Sequence, residues 1–596
     1  MAISLIQPID MRHRLPDWAG DGNFGPMDWA AASAPPAFAT PAFATPDPVA
    51  SLFAVLATST VSAGAAMAMR VAQAVKAYGV TGAGIKIGIL SDSFNLHGGM
   101  AADIANGNLN AGTTILKEGP AGGADEGRAM AELIHKIAPG AQITFYSAFY
   151  GEADFANGIQ ALTAAACNVI VDDVTYLTEP FFQTGGLVQN AVQAAINAGV
   201  SYFTSASNEG LNFYQANFTG VKTTLTGLIG NYTAENFGTA AVPVTRQSLT
   251  IARGATATID LQWDQPFAGI GGKTGAANSL GMVLYDSNNR IVAYATMNDV
   301  NRNPDQILQF TNTSASTSFH LAIFTNGGTS APGQFKYIIY GQGTMINDPK
   351  AGKGSGTLIG HEEVAAANTV GAVAYNQTAA YGGRNTIEHF SSVGPGGLLF
   401  DANGNRLAQA ATSGVDFVAP DGSATSVFNP FYGTSAAAPN AAGVAALMLQ
   451  ANRALTPAQV SADLLASTIA ATGPNGAVGA GLIQAPAAVR MAFATTAGVA
   501  ATPQTSRIGS TSTSTSIIGR IGTVARNNLT AAPASLARAL DLVASDPTAA
   551  GDFYASLDPT AAIAPAAILL SAAGTSALAM LNNASMPLPF VAKWNT

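Results

Sequence analysis

Between residues 85 and 204 the chain alternates apolar runs of strand length with stretches of helical character. No other feature limits its possible folds so strongly. The apolar runs lie at 85–90, 142–146, 169–172 and 200–204, and the helical stretches at 126–137, 153–166 and 187–198. Strands and helices taking turns predict a parallel sheet covered by helices on both faces, because a parallel return needs a crossover long enough to hold a helix. In open sheets of this kind functional groups gather beyond the carboxyl ends of the strands. The first run ends in Ser91-Asp92 and the third in Asp172-Asp173, so these carboxylates fall where a site would be built.

The texture changes after Gly210. Short β-prone runs follow at 248–251, 257–263, 281–285, 291–295, 319–324 and 335–340, separated by turns such as Asp286-Ser287-Asn288-Asn289 and Asn326-Gly327-Gly328. Regular turn punctuation without a helical period predicts an all-β sandwich inserted into the α/β unit. The α/β texture resumes at 364–373. The expected organisation is a Pro/Ala-rich extension over 1–68, a discontinuous α/β domain over 69–215 and 350–495, the β insert over 216–349, and a linker with an Ala-rich helical region over 496–596. The stretch 50–78 reads as helical, and 528–584 as a small helical bundle.

Composition narrows the function classes. A length of 596 residues suits several domains. The net charge of −9, with no basic stripe, argues against a nucleic-acid partner. A single cysteine, Cys167, excludes an intramolecular disulfide framework. The apolar stretch 49–69 is broken by Thr and Ser, so no membrane span is expected. Only 10% of residues are charged, and Thr, Ser, Asn and Gly carry the polarity. That balance points to an extracellular or cell-surface location, although residues 1–16 lead into no apolar signal core. Composition says nothing of oligomeric state.

Ser435 stands in Gly433-Thr434-Ser435-Ala436-Ala437-Ala438-Pro439, at the head of an Ala-rich run to Gln450 that reads as a buried helix. At a helix N-terminus a serine meets unpaired N–H groups and the positive end of the dipole, which can hold an oxyanion. It is equally the place of a plain N-cap. The stretch resembles the nucleophile motif of subtilisin-like serine proteases, G-T-S-x-A-x-P-x-x-A-G. Phe390-Ser391-Ser392-Val393-Gly394-Pro395 and Asp416-Phe417-Val418-Ala419-Pro420 resemble two further motifs of that family, in the family's order. The resemblance covers roughly 69–215 and 350–495. It implies a subtilisin-like fold and a serine endopeptidase acting on protein or peptide substrates.

Residue by residue, the resemblance implies Ser435 as nucleophile and Asp92 as the catalytic aspartate, although Asp92 is followed by Ser93-Phe94 where the family has D-T/S-G. It implies Asn208, in Ser205-Ala206-Ser207-Asn208-Glu209-Gly210, as the oxyanion-holding amide. It implies Asp173, Val174, Ser205 and Ala206 as substrate-binding positions. Asp173 is read in two further ways, as a partner of Glu126 and as a capping or metal-binding residue. No cofactor is required; calcium is a common structural ion in the family, but no loop here presents a ligand set.

The departure concerns histidine. The family has H-G-T at a helix start; here the residue before the glycine is Glu126, in Asp125-Glu126-Gly127-Arg128. None of the six histidines stands in an H-G-T setting. His135 is on the same helix but two and a half turns on, facing away. His97 is an alternative base if its loop folds back, and His389 reads as structural. A glutamate at this place resembles the sedolisins, which use Ser, Glu and Asp on a subtilisin fold. The match is partial: their second carboxylate falls where this chain has Met130, and they carry Asp in place of Asn208. Glutamate titrates near ~4.3 and histidine near ~6.5, and neighbouring carboxylates share a proton. A Ser-Glu-Asp site therefore predicts peptidase activity favouring acidic pH. The alternative is an impaired pseudo-protease that binds peptides or serves as a surface interaction protein. A cell-surface or autotransporter-like passenger is the third reading.

Overall fold

The computed structural model describes residue 59 and residues 61–495. The expected N-terminal extension, the linker and the C-terminal helical bundle lie outside the described residues, apart from 61–68. The centre is a seven-stranded parallel sheet in the order β2-β3-β1-β4-β5-β17-β20. Its strands are β1 (Lys86–Ser91), β2 (Thr114–Lys117), β3 (Gln142–Ser147), β4 (Val169–Asp172), β5 (Ser201–Ser205), β17 (Asn368–Ala374) and β20 (Phe417–Asp421). β1, β4, β5, β17 and β20 are buried almost end to end, as expected of a sheet covered on both sides.

Nine helices surround it among the described residues: α1 (Gly64–Ala68), α2 (Val71–Tyr78), α3 (Met100–Ala105), α4 (Glu126–Ile137), α5 (Glu152–Ala164), α6 (Leu187–Asn197), α7 (Thr434–Ala451), α8 (Pro457–Ala466) and α9 (Ala485–Ala494). Strand alternation sorts the two faces. Ile87, Ile89 and Val171 point into one core with Ala129, Met130 and Ile134 of α4 and the Ala-rich face of α7. Leu90, Ile170 and Tyr202 point into the other, with Phe155 and Ile159 of α5 and Val188 and Val192 of α6. The helix expected across 50–78 is, in its described part, two helices. Arg70 between them is left-handed at φ 58°, and the Met69 carbonyl freed there accepts the Ala485 N–H at 3.0 Å.

The insert is two antiparallel sheets. One is β13 (Asp305–Thr311), β10 (Thr256–Trp263), β15 (Gln334–Tyr340) and β6 (Phe213–Asn217). The other contains β12 (Ile291–Ala295), β11 (Leu280–Asp286), β14 (Ser318–Thr325), β8 (Tyr232–Glu235) and β7 (Gly220–Thr223), with β9 (Gln247–Ile251) on β14 and β16 (Thr344–Ile346) on β9. Ile259, Leu261 and Trp263 of one sheet share a core with Leu284, Leu321 and Ile323 of the other, which makes a sandwich. β6 pairs along β15 from Ile338↔Phe213, so the sandwich starts three residues before the expected 216. A small hairpin, β18 (Leu398–Phe400) and β19 (Arg406–Ala411), stands apart.

Candidate active site

The site is assembled at the carboxyl edge of the central sheet, where β1, β4, β5 and β20 release the chain. Asp92 follows β1 directly and is buried. Its Oδ2 accepts the Ala124 N–H at 2.6 Å and its Oδ1 the Glu126 N–H at 2.9 Å, with the Ser93 N–H on the same oxygen. A carboxylate is thus placed on the first amides of α4, the end of a helix that attracts anions. Glu126 opens α4 and is 3% exposed. Gly127 lets this turn press onto β3: a Cβ there would stand 2.3 Å from the Phe145 ring, and its N–H donates to Ser93 O at 3.0 Å. Asp125 caps α4 in a left-handed conformation (φ 61°) and receives the Leu96 N–H at 2.8 Å.

Ser435 is in the first turn of α7, 1% exposed. Gly433 before it sits at φ 115°, open only to glycine without strain, and its N–H donates to Asp421 Oδ2 at 2.9 Å. The Ser435 N–H, in the first helical turn, has no carbonyl four residues back within the helix. Pro439 has no N–H to return to the Ser435 carbonyl. Among the described residues Ser435 Oγ has no hydrogen-bond partner; it is not bonded to Glu126.

Asn208 brings the third group. Its Oδ1 accepts both the Thr434 N–H and the Thr434 hydroxyl at 3.0 Å. A backbone N–H can only donate, so this fixes the amide with oxygen toward α7 and Nδ2 on the other side. The turn carrying Asn208 is held by the Phe390-Ser391-Ser392 segment. Gly210 N–H reaches Phe390 O at 2.7 Å, Glu209 N–H reaches Ser392 Oγ at 3.0 Å, and Ser392 N–H reaches Ser207 O at 3.1 Å. The F-S-S motif therefore works as a brace for the asparagine turn.

The two aspartates after β4 part company. Asp173 Oδ2 accepts from Ser91 Oγ at 3.0 Å, on the side of the Asp92 strand end. Asp172 accepts the Thr204 hydroxyl at 2.8 Å and lies 3.3 Å from His361 Nε2, away from the site. The Val174 side chain is buried in the core beneath α5 and α6, and that of Ala206 in the core shared with Phe213 and Ile338. What these two positions offer at the strand ends is therefore backbone. Ser205 is fully buried at the end of β5, where its backbone pairs with Val370.

Among the described residues no imidazole bonds to the serine hydroxyl. His97 is exposed, with Nε2 2.8 Å from Gly123 O. His135 is buried, and its pKa falls to about 4 through burial and then Lys136. His389 lies edge-on to the Phe390 ring. His361 is buried between Glu179 (2.7 Å) and Asp172 (3.3 Å); burial opposes its charge, but these carboxylates outweigh it and raise its pKa well above 6.5. Met130 is a core residue of α4. Among the described residues no group of three or more His, Cys, Asp or Glu side chains is arranged to hold a metal ion, and calcium ligands are not assigned. No described helix is long and apolar enough to cross a membrane.

The sequence reading passed over Arg128, Asp103, Glu132 and Ser426. Arg128, Asp103 and Glu132 are buried beside this site and meet the exposed Ser426. The signal was present: a basic and an acidic residue spaced four apart on a helix whose neighbours are all buried.

The family model of the subtilases matches residues 88–481, from β1 past the serine helix. The chain belongs to the subtilase family. Subtilases are serine peptidases, so protein or peptide substrates follow at that level. No curated protein matches the chain. Among solved structures, the CspB protease of Clostridium perfringens aligns at 11% identity and TM-score 0.45, over 72% of this chain and 98% of that one. A lanthipeptide protease aligns at 14% identity and TM-score 0.34, over 74% and 97%. A cold-adapted subtilisin-like serine proteinase aligns at 14% identity and TM-score 0.31, over 68% and 90%.

Proposed function

We propose that this subtilase is an endopeptidase with a Ser-Glu-Asp site. Ser435 Oγ attacks the scissile carbonyl carbon and its proton passes to the Glu126 carboxylate. The tetrahedral oxyanion is held by Asn208 Nδ2 and the Ser435 N–H. Glu126 then returns the proton to the leaving amine, and water, activated by the same carboxylate, releases the acyl group from Ser435. Asp92 holds the Glu126 backbone in place. The observation that carries the reading is that two helices open at one sheet edge, one with the Glu126 N–H on Asp92, the other with Thr434, next to Ser435, on Asn208. A carboxylate base stays ionised at lower pH than an imidazole, so the reading includes an acidic optimum.

The test is digestion of a peptide library across pH by the wild type and Ser435→Ala, with a fluorophosphonate probe of the serine. Cleavage peaking on the acidic side, with both cleavage and labelling lost in Ser435→Ala, is the expected result. The second reading, a peptide-binding pseudo-protease, is favoured by the missing hydrogen bond between Ser435 Oγ and Glu126. It predicts peptide binding without turnover or labelling. Catalytic hydrogen bonds commonly tighten only with substrate present, which leaves the peptidase reading ahead.

A further inference from the structure

Arg128 lies two residues past Glu126 on α4, and the chemistry above does not use it. Its side chain is 6% exposed, yet it has five hydrogen-bond partners. Nε donates to Phe94 O at 3.0 Å. Nη1 donates to Asp103 Oδ2 and to Ser426 Oγ at 3.0 Å. Nη2 donates to Gly98 O at 3.0 Å and to Asp125 Oδ2 at 3.1 Å. Glu132, one turn along α4, stands 3.7 Å from Nη1.

Most of these partners sit on segments leading to a site group. Phe94 and Gly98 belong to the loop running on from Asp92. Asp125 immediately precedes Glu126 and also receives the His97 N–H at 3.2 Å. Ser426 belongs to the loop between β20 and α7 that leads into Ser435. That loop is held a second time, because the Ser426 N–H donates to Glu132 Oε2 at 2.7 Å. The Ser426 hydroxyl accepts from Arg128 and has Asp103 Oδ2 (3.0 Å) and Glu132 Oε1 (2.5 Å) as acceptors for its own proton. A guanidinium presents five N–H donors in a rigid fork, so it can fix several segments at set angles where a flexible ammonium cannot.

We propose that Arg128 is a positioning residue for the peptidase reaction, tying the loop after Asp92 and the loop before Ser435 to the helix that carries Glu126. This rests on the catalytic roles proposed above. The attacking hydroxyl and its base reside on separate helices, and the Arg128 fork sets the register between them. Misplacement of reacting groups by about 1 Å can cost on the order of a hundredfold in rate. A cluster serving stability alone would lower the folded fraction and leave the turnover of each folded molecule unchanged.

The experiment uses the full chain, a peptide substrate and titration of Ser435 with a fluorophosphonate, so that kcat is expressed per reactive serine. Ser426→Ala removes one hydroxyl and keeps the backbone bond to Glu132. Its expected kcat is down on the order of tenfold with KM unchanged. Arg128→Met is expected to fall on the order of a hundredfold, with Arg128→Lys recovering part of the loss. Wild-type kcat per titrated serine in Ser426→Ala, and in whichever Arg128 variant folds, overturns the proposal. If the wild type neither labels nor cleaves, the catalytic reading itself fails and takes this one with it.

Discussion

Two regions of this molecule bury carboxylates, and they treat them in opposite ways. At the sheet edge Asp92 is surrounded by backbone donors: three N–H groups converge on it, two of them from the start of α4. Where the insert meets the central sheet, the short helical turn Gly360–Glu363 and strands β10, β13 and β15 bring Glu362, Glu363, Asp260, Asp305 and Lys336 together in the interior. Donors are scarce there. Neither oxygen of Glu363 has a hydrogen-bond partner among the described residues. Burial, against the partial relief of His361 and Thr175, pushes Glu362 up to about 8. Burial raises Glu363 well above its ordinary range, and burial with Asp305 does the same to Asp260. Lys336 is lowered to about 8 by burial, opposed by Glu363. The difference teaches that depth alone does not decide a carboxylate's role; the supply of N–H groups does.

The largest expected effect that sharpens this contrast is at the edge. Glu126→Gln keeps the backbone bond to Asp92 and removes the proposed base, so kcat/KM should fall by about 10²–10⁴ with little change in the melting temperature. The acidic limb of the pH–rate profile should go with it. An unchanged profile would make the two regions alike in having no catalytic acid. Asn208→Leu should lower kcat by about 10²–10³ with KM nearly constant, measured on the same peptide. A loss confined to KM would remove the oxyanion role.

At the junction the effects should be on stability. Lys336→Met takes an amine away from acids that largely hold their protons, so its cost in chemical unfolding should stay within about 1–3 kcal/mol, the scale for buried polar groups losing a partner. Its sign with pH can be worked out. Glu362 holds its proton to about pH 8 when folded and to its ordinary 4.5 when unfolded. Between those values the folded state binds more protons, so this group's contribution to stability falls as pH rises from about 4.5 to 8 and then levels off. Lys336, at about 8 folded against 10.5 unfolded, works the other way, and only above about 8. Melting followed from pH 5 to 8 should therefore decline, and Glu362→Gln should flatten the decline. The smallest effect is expected on the surface. Arg406→Gln breaks a 2.5 Å pair with Asp264, but the arginine is half exposed, and such pairs contribute about 0–1 kcal/mol.

Much of this was legible because it lies in local pattern. β1, β4 and β5 are apolar runs with a polar residue at the end, and α4 and α7 follow a glycine or aspartate that starts a helix. The family motifs located Asp92, Asn208 and Ser435 without any knowledge of distance. Less legible were β6, β7 and β8, which are short and largely polar on their exposed faces; β6 and β8 are fixed by partners far along the chain, and β7 by β8. The side-chain directions of Val174 and Ala206 were equally illegible. A strand end announces a site, but whether its side chains point to the cleft or the core depends on what packs against the sheet. Arg128 was missed because four of its five partners lie 25 to 298 residues away.

The asparagine turn has one more implication. β6 begins at Phe213, five positions after Asn208, and the turn is also tied to the returning strand region, where Thr357 Oγ1 donates to Gly210 O at 2.9 Å. The whole sandwich thus hangs in the polypeptide between Asn208 and its brace. Any tug or twist on those β layers is delivered, through a tether of a few peptide units, to the amide proposed to meet a developing negative charge.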